Sequence, residues 1–126
     1  MLDKNGRILS VDDFSTMRRI IKNILRQLGY ANVDEAPNGA EALSAMKGKA
    51  YDLVISDWNM PVKTGIELLK DVRADPELSH IPFLMVTAEA EKEQVVEAVQ
   101  AGVNSYILKP FTAKVLEEKL HQMFPN

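Results

Sequence analysis

Short runs of apolar, β-branched residues alternate along this chain with longer segments whose apolar positions recur at helical spacing. That alternation predicts βα units packed on a parallel sheet. Residues 7–11 (RILSV) read as the first strand. Residues 15–28 follow as a helix, with Met17, Ile20, Ile21, Ile24, Leu25 and Leu28 on one apolar stripe, closed by Gly29 in the manner of a left-handed cap. Residues 33–36 are a short, more polar second strand, and residues 39–46 a helix that packs Ala42, Leu43 and Met46. Residues 53–56 form the third strand, which runs straight into Asp57. Beyond the loop WNMPVKTG a helix is expected over 66–73, with Asp75 and Pro76 at its exit. Residues 83–86 are the fourth strand, 91–101 a helix closed by Gly102, and 106–108 the fifth strand. Residues 112–124 form the last helix, with Leu116, Leu120, Met123 and Phe124 facing inward. The expected architecture is α/β, a five-stranded parallel sheet with helices on both faces and right-handed crossovers.

In open α/β sheets ligands bind outside the carboxyl ends of the strands, so the residue after each apolar run matters. Asp12 and Asp13 follow the first strand, Asp57 the third, Thr87 the fourth and Lys109 the fifth. Taken singly, Asp12, Asp13 and Thr87 read as helix caps, Lys109 before Pro110 as a turn residue and Asp57 as a loop acid. Taken together, three carboxylates at one rim repel each other and call for positive charge. A hard divalent cation with oxygen ligands supplies it, and Mg²⁺ characteristically uses one or two carboxylates plus phosphate oxygens. A carboxylate can also attack phosphorus when the transferring group is neutralised. On this reading Asp57 is the nucleophile, Asp12 and Asp13 hold the metal, Lys109 pairs with a phosphoryl oxygen and Thr87 donates its hydroxyl to another.

Composition narrows the class. Hydrophobic residues are 46 % and charged residues 26 % of 126, the balance of a soluble globular domain, and residues 1–126 are expected to form one domain with no separate output domain. The formal charge of -3 argues against a nucleic-acid partner, and zero cysteines exclude disulfides and thiolate metal sites. No apolar run reaches membrane-spanning length and no signal-peptide pattern opens the chain, so a cytoplasmic location is expected. His80 and His121 lack metal-ligand spacing and read as surface residues.

The segments VDDFSTMRRI, ISDWNMP, LMVTAEA, VQAG and KPF resemble the response-regulator receivers of two-component signalling, in particular the CheY-like chemotaxis group, over nearly the whole chain. Chemotaxis receivers are themselves a standing example of the strand-end rule, so the fold expectation draws on resemblance as well as on pattern. The resemblance implies a flavodoxin-like (βα)5 fold with strand order 2-1-3-4-5. It implies phosphorylation of Asp57 by a CheA-like histidine kinase, with Mg²⁺ held by Asp13, Asp57 and the backbone carbonyl of Asn59 and with Asp12 acting through water. Thr87 and Tyr106 are expected to switch together, and the peptide between Lys109 and Pro110 to be cis. Such proteins are signalling receivers that catalyse their own phosphorylation and dephosphorylation, and are not classed as enzymes.

The resemblance also implies an output face comprising Ala90, Lys92, Val95, Tyr106, Leu108, Thr112 and Lys119, with Glu91 beside it, on a monomer. Its expected partners are a FliM-like flagellar switch protein, the CheA-like kinase and a CheZ-like phosphatase. Glu91 stands where enteric members have lysine, Thr64 where members commonly have aspartate, and the last helix is slightly short. Three other readings compete. One is a CheY-like phosphate sink or a receiver for a non-motor partner. Another is an aspartate-nucleophile phosphohydrolase, which wants Asp-x-Asp after its first strand. The third is a flavodoxin-like FMN protein, whose phosphate Asp12 and Asp13 would repel.

Overall fold

Three segments with almost no polar interruption form the strands that are buried along their whole length. They are β1 (Ile8–Val11), β3 (Leu53–Asp57) and β4 (Phe83–Thr87). The more polar β2 (Val33–Ala36) and β5 (Ser105–Leu108) take the two edges of an all-parallel sheet of order β2-β1-β3-β4-β5. This is the arrangement expected when both faces of the central strands are covered by helices. The computed structural model describes residues 2–88 and 91–125. The connecting helices are α1 (Ser15–Gln27), α2 (Gly39–Gly48), α3 (Gly65–Ala74), α4 (Lys92–Gln100) and α5 (Ala113–Met123).

Strand alternation splits the core in two. Ile8, Leu53, Ile55, Leu84, Val86 and Ile107 face one side and pack with Ile21 and Leu25 of α1 and Leu116 and Leu120 of α5. Leu9, Val11, Val54, Phe83 and Met85 face the other, against Met46 of α2, Leu68 and Leu69 of α3 and Ala98 of α4. Each fully buried large aliphatic or aromatic side chain contributes about 1.5–3 kcal/mol, so these two layers dominate the stability of the fold. Ala98 is the one buried residue of α4, which makes it the most lightly seated of the five helices. Among the described residues no helix is long and apolar enough to cross a membrane.

The expected elements are all present, and their ends move by one or two residues for identifiable reasons. Arg7 leaves β1 because its N–H donates to Asp52 Oδ2 at 2.8 Å rather than to a strand. The third and fourth strands each gain a residue, since Asp57 pairs in register with Val86 and Thr87 with Leu108. The helix expected over 66–73 starts at Gly65, because Thr64 closes a capping box with Glu67. Thr64 therefore supplies the capping oxygen of α3. Gly29 and Gly102 end α1 and α4 at φ of 98° and 95°. Phe124 is the C-cap of α5 rather than part of it, and Met123 and Phe124 are half-buried against the core.

Candidate functional site

The order β2-β1-β3 means that the chain leaves β1 in one direction and passes β3 in the other, which opens a crevice at their carboxyl ends. Val11 and Ser56 are register partners, so Asp12 and Asp57, each one step further, emerge side by side. One carboxylate oxygen from each of Asp12, Asp13 and Asp57 lies within 4.8 Å of the others. Lys109, just past β5, is drawn in by its N–H to the Thr87 carbonyl at 2.9 Å, and its Nζ stands 3.0 Å from Asp57 Oδ1. The peptide between Lys109 and Pro110 is cis.

The capping explanation for the acids does not hold. The N-cap of α1 is Phe14 and that of α4 is Glu91, neither with a side-chain cap bond. Asp12 is fully buried; its Oδ1 accepts the Phe14 N–H at 2.9 Å, while Oδ2 is buried with no hydrogen-bond partner among the described residues. Asp13 is exposed and Asp57 is 5 % exposed. Burial pushes the Asp57 carboxyl up, with the Lys109 hydrogen bond and charge pulling it back and the charge of Asp13 adding to the rise. Burial likewise raises Asp12; the Phe14 N–H opposes this and the charge of Asp57 reinforces it. Three acids against one lysine, with a buried carboxylate oxygen lacking a partner, form an all-oxygen donor set that fits magnesium.

These raised values fix the sign of a pH effect. As pH falls, the folded chain binds protons at Asp12 and Asp57 before the unfolded chain does. Without a cation the two acids thus oppose folding at neutral pH, and the penalty is relieved on the way down to the unfolded carboxylate value near about 3.9. Accordingly, Asp12→Asn, which keeps an acceptor for Phe14 and removes a buried charge, is expected to gain on the order of 1 kcal/mol in chelator at neutral pH. The gain should shrink when Mg²⁺ is added. Urea unfolding in both conditions checks this, and a less stable variant in chelator would contradict it.

Thr87 is buried at the end of β4. Tyr106 pairs in register with Met85 and Leu108 with Thr87, so Thr87 and Tyr106 are diagonal neighbours on one face. Tyr106 is half-buried against the core, and Lys119 Nζ sits 5.3 Å from its ring centroid. Tyr106, Leu108, Thr112 and Lys119 line one shallow cleft with Pro110 and Val115. Glu91 and Lys92 are exposed at the start of α4 and Val95 is half-buried. Asn59 is exposed two positions beyond Asp57. Ala90 lies outside the described residues. His80 and His121 are exposed, as expected.

Two local features were not read from the sequence. Arg18, which the helical stripe leaves as one of several polar positions, donates from Nη1 to the Asp12 carbonyl at 2.5 Å. Val62 sits at φ 68° in a tight turn closed by the Lys63 N–H and the Pro61 carbonyl at 2.7 Å. A β-branched residue there is strained, and no residue preference announces it.

A profile of the response regulator receiver domain matches residues 8–121. The chain is 60 % identical over 124 residues to chemotaxis protein CheY-3 of Vibrio cholerae, covering 98 % of this chain and 95 % of that one. It is 58 % identical over 118 residues to chemotaxis protein CheY of Pseudomonas aeruginosa, covering 94 % and 95 %. Among solved structures it matches Vibrio cholerae CheY4 with a TM-score of 0.88 at 34 % identity, covering 94 % and 98 %. It also matches the receiver domain of a Pseudomonas aeruginosa sensor histidine kinase, solved with a magnesium ion coordinated in its active-site cleft. There the TM-score is 0.87 at 29 % identity, covering 97 % and 99 %.

Proposed function

Since this chain belongs to the response regulator receiver family, among chemotaxis proteins of the CheY type, we propose that Asp57 accepts a phosphoryl group and that the resulting aspartyl phosphate switches a partner-binding face. The observation that carries this reading is the convergence of Asp12, Asp13 and Asp57 with Lys109 Nζ 3.0 Å from Asp57. An Asp57 carboxylate oxygen attacks the phosphorus of a phosphohistidine or a small acyl phosphate. The new P–O bond forms as the donor's P–N or P–O bond breaks, and the leaving group keeps the bonding pair. Lys109 holds Asp57 in the ionised form that attacks, and afterwards pairs with a phosphoryl oxygen. Asp13, Asp57 and the Asn59 carbonyl, with Asp12 acting through water, would hold Mg²⁺, which would supply charge neutralisation for the transferring group. The Thr87 hydroxyl turns toward the phosphoryl group, and Tyr106, its diagonal neighbour, follows.

The donor is a CheA-like histidine kinase, the output partner a FliM-like flagellar switch protein and the phosphatase CheZ-like, with the protein acting in the cytoplasm as a monomer. The cleft at Tyr106, Leu108, Thr112 and Lys119 supports a peptide-binding face next to the switch pair. A phosphohydrolase reading is weaker, because Phe14 and Ser15 follow Asp13 where such an enzyme needs a second acid. The basic test is incubation with acetyl phosphate, with and without Mg²⁺, followed by intact mass. Gain of one phosphoryl group only with Mg²⁺ supports the reading, and no gain in either condition sinks it.

Exposed Glu91 favours a second reading, in which the chain is a phosphate sink or serves a non-motor partner. If the partner is a FliM-type peptide evolved to face a lysine, Glu91→Lys should bind it about threefold tighter, the scale of one exposed ion pair, with a steeper salt dependence. Titrations of both proteins, activated with beryllofluoride, at low and high salt check this. Identical affinities and salt slopes would place Glu91 outside the contact.

A further inference from the structure

Arg18 binds three elements together. Its side chain is 16 % exposed; Nη1 donates to the Asp12 carbonyl at 2.5 Å and Nε to Glu35 Oε1 at 3.1 Å. Lys22 Nζ stands 3.7 Å from Glu35 Oε2, so the carboxylate on β2 is held from two turns of α1. The Asp12 carbonyl belongs to the peptide plane that carries the Asp13 nitrogen. Holding that oxygen stops the plane from rotating, and so sets the direction in which the Asp13 side chain leaves the backbone. Asp12 has other anchors, its N–H on the Ala36 carbonyl at 3.1 Å and Oδ1 on the Phe14 N–H. Asp13 is exposed, and packing does little to orient it.

We infer that Arg18 is a positioning residue for the cation site, holding the Asp12–Asp13 peptide so that Asp13 points into the acidic cluster, with Glu35 as the tether of the guanidinium. This rests on the magnesium reading above. The sign of the charge makes the role specific: a guanidinium close to a dication is unfavourable by Coulomb's law, so any benefit to metal binding has to come from geometry. Lysine keeps the charge but lacks the planar fork that serves the carbonyl and the carboxylate at once.

Mg²⁺ titrated against Trp58 fluorescence tests this in the wild type, Arg18→Ala, Arg18→Lys and Glu35→Gln, with thermal unfolding in chelator as a check on folding. Arg18→Ala is expected to bind Mg²⁺ about tenfold more weakly, the low end for a group that orients a metal ligand. Arg18→Lys and Glu35→Gln should fall between it and the wild type. Labelling by acetyl phosphate should need more Mg²⁺ for its half-maximal rate yet reach the same plateau, a split that loss of fold does not produce. Unchanged or tighter Mg²⁺ binding in Arg18→Ala, with a wild type that binds normally, overturns the inference alone. A wild type that fails to bind Mg²⁺ overturns the magnesium reading and this inference with it. Should Arg18→Ala not fold, the other two variants carry the test, and wild-type affinity in both overturns it.

Discussion

Asp57→Asn should take up no phosphoryl group from acetyl phosphate and Mg²⁺ under conditions that label the wild type fully, a loss on the order of 10⁴-fold or more. The amide has nearly the shape of the carboxylate, but its oxygen carries no full charge and is a poor nucleophile toward phosphorus. The loss is chemical and not structural. Asp57 sits buried beside two other acids, so neutralising it relieves repulsion even though Lys109 loses its 3.0 Å partner. Circular dichroism and the unfolding midpoint should accordingly match or exceed those of the wild type. Equal labelling of the two proteins would remove Asp57 from the chemistry, whereas slow residual labelling would point to exposed Asp13 as a substitute acceptor.

The largest stability effect is expected at Gly65, the first residue of α3. A Cβ placed there would overlap the Asp57 carbonyl oxygen outright, and would lie 2.9 Å from Met85 Sδ and 3.1 Å from the Asp57 carbonyl carbon. The methionine tail can shift, but the other two atoms are the backbone of the acceptor itself, held to β4 by the pairing of Asp57 with Val86 and by the Trp58 N–H on the Val86 carbonyl at 3.0 Å. The Gly65 N–H on the Trp58 carbonyl at 2.8 Å leaves the helix start no room to retreat without losing a bond. Gly65→Ala is therefore expected to cost about 3 kcal/mol, the upper range for overpacking a filled site. With an ordinary urea slope, that lowers the midpoint by about 1–2 M. Labelling of the folded fraction should also slow, because α3 can move off only by dragging the loop that follows Asp57. Gly48→Ala is the control: a Cβ added there would meet nothing within 4 Å, and the change should be close to neutral. Equal midpoints for Gly65→Ala and the wild type would show that the close approach does not exist in solution.

The sequence was most informative where one residue decides the matter by its place at the end of an apolar strand. Asp12, Asp57 and Thr87 stand at the ends of apolar runs that form the three inner strands, and Lys109 directly after the edge strand β5, so the rim they share follows from the topology. Asp57 and Thr87 proved to be the last ladder residues of their strands rather than loop residues, because pairing is settled by the neighbouring strand and not by the residue's own polarity. The contact of Arg18 was illegible for a related reason. Helical spacing tells which positions face the core, but says nothing of which long polar side chain folds back over the preceding loop to find a carbonyl. The tightness at Gly65 was equally hidden, since a glycine before a helix reads as turn chemistry and only the packed structure places the Asp57 carbonyl against it. Val62 runs against sequence preference, its φ of 68° being imposed by the tight turn that joins Pro61 to Lys63. The partner face was legible only through resemblance. Exposed valines and lysines on α4 and α5 fit many surfaces, and no pattern of theirs alone selects a FliM-like peptide.

The central claim is that the phosphoryl group is carried by Asp57 and by no other residue. An aspartyl phosphate is an acyl phosphate, which borohydride reduces to the alcohol, leaving a homoserine in the chain at the position that carried the phosphoryl group. Wild-type protein treated with acetyl phosphate and Mg²⁺, then reduced, digested and sequenced by tandem mass spectrometry, is predicted to contain homoserine at position 57 alone, and none when Mg²⁺ is replaced by chelator. Homoserine at position 12 or 13 with aspartate intact at 57, or none anywhere despite a gain in intact mass, would contradict the account.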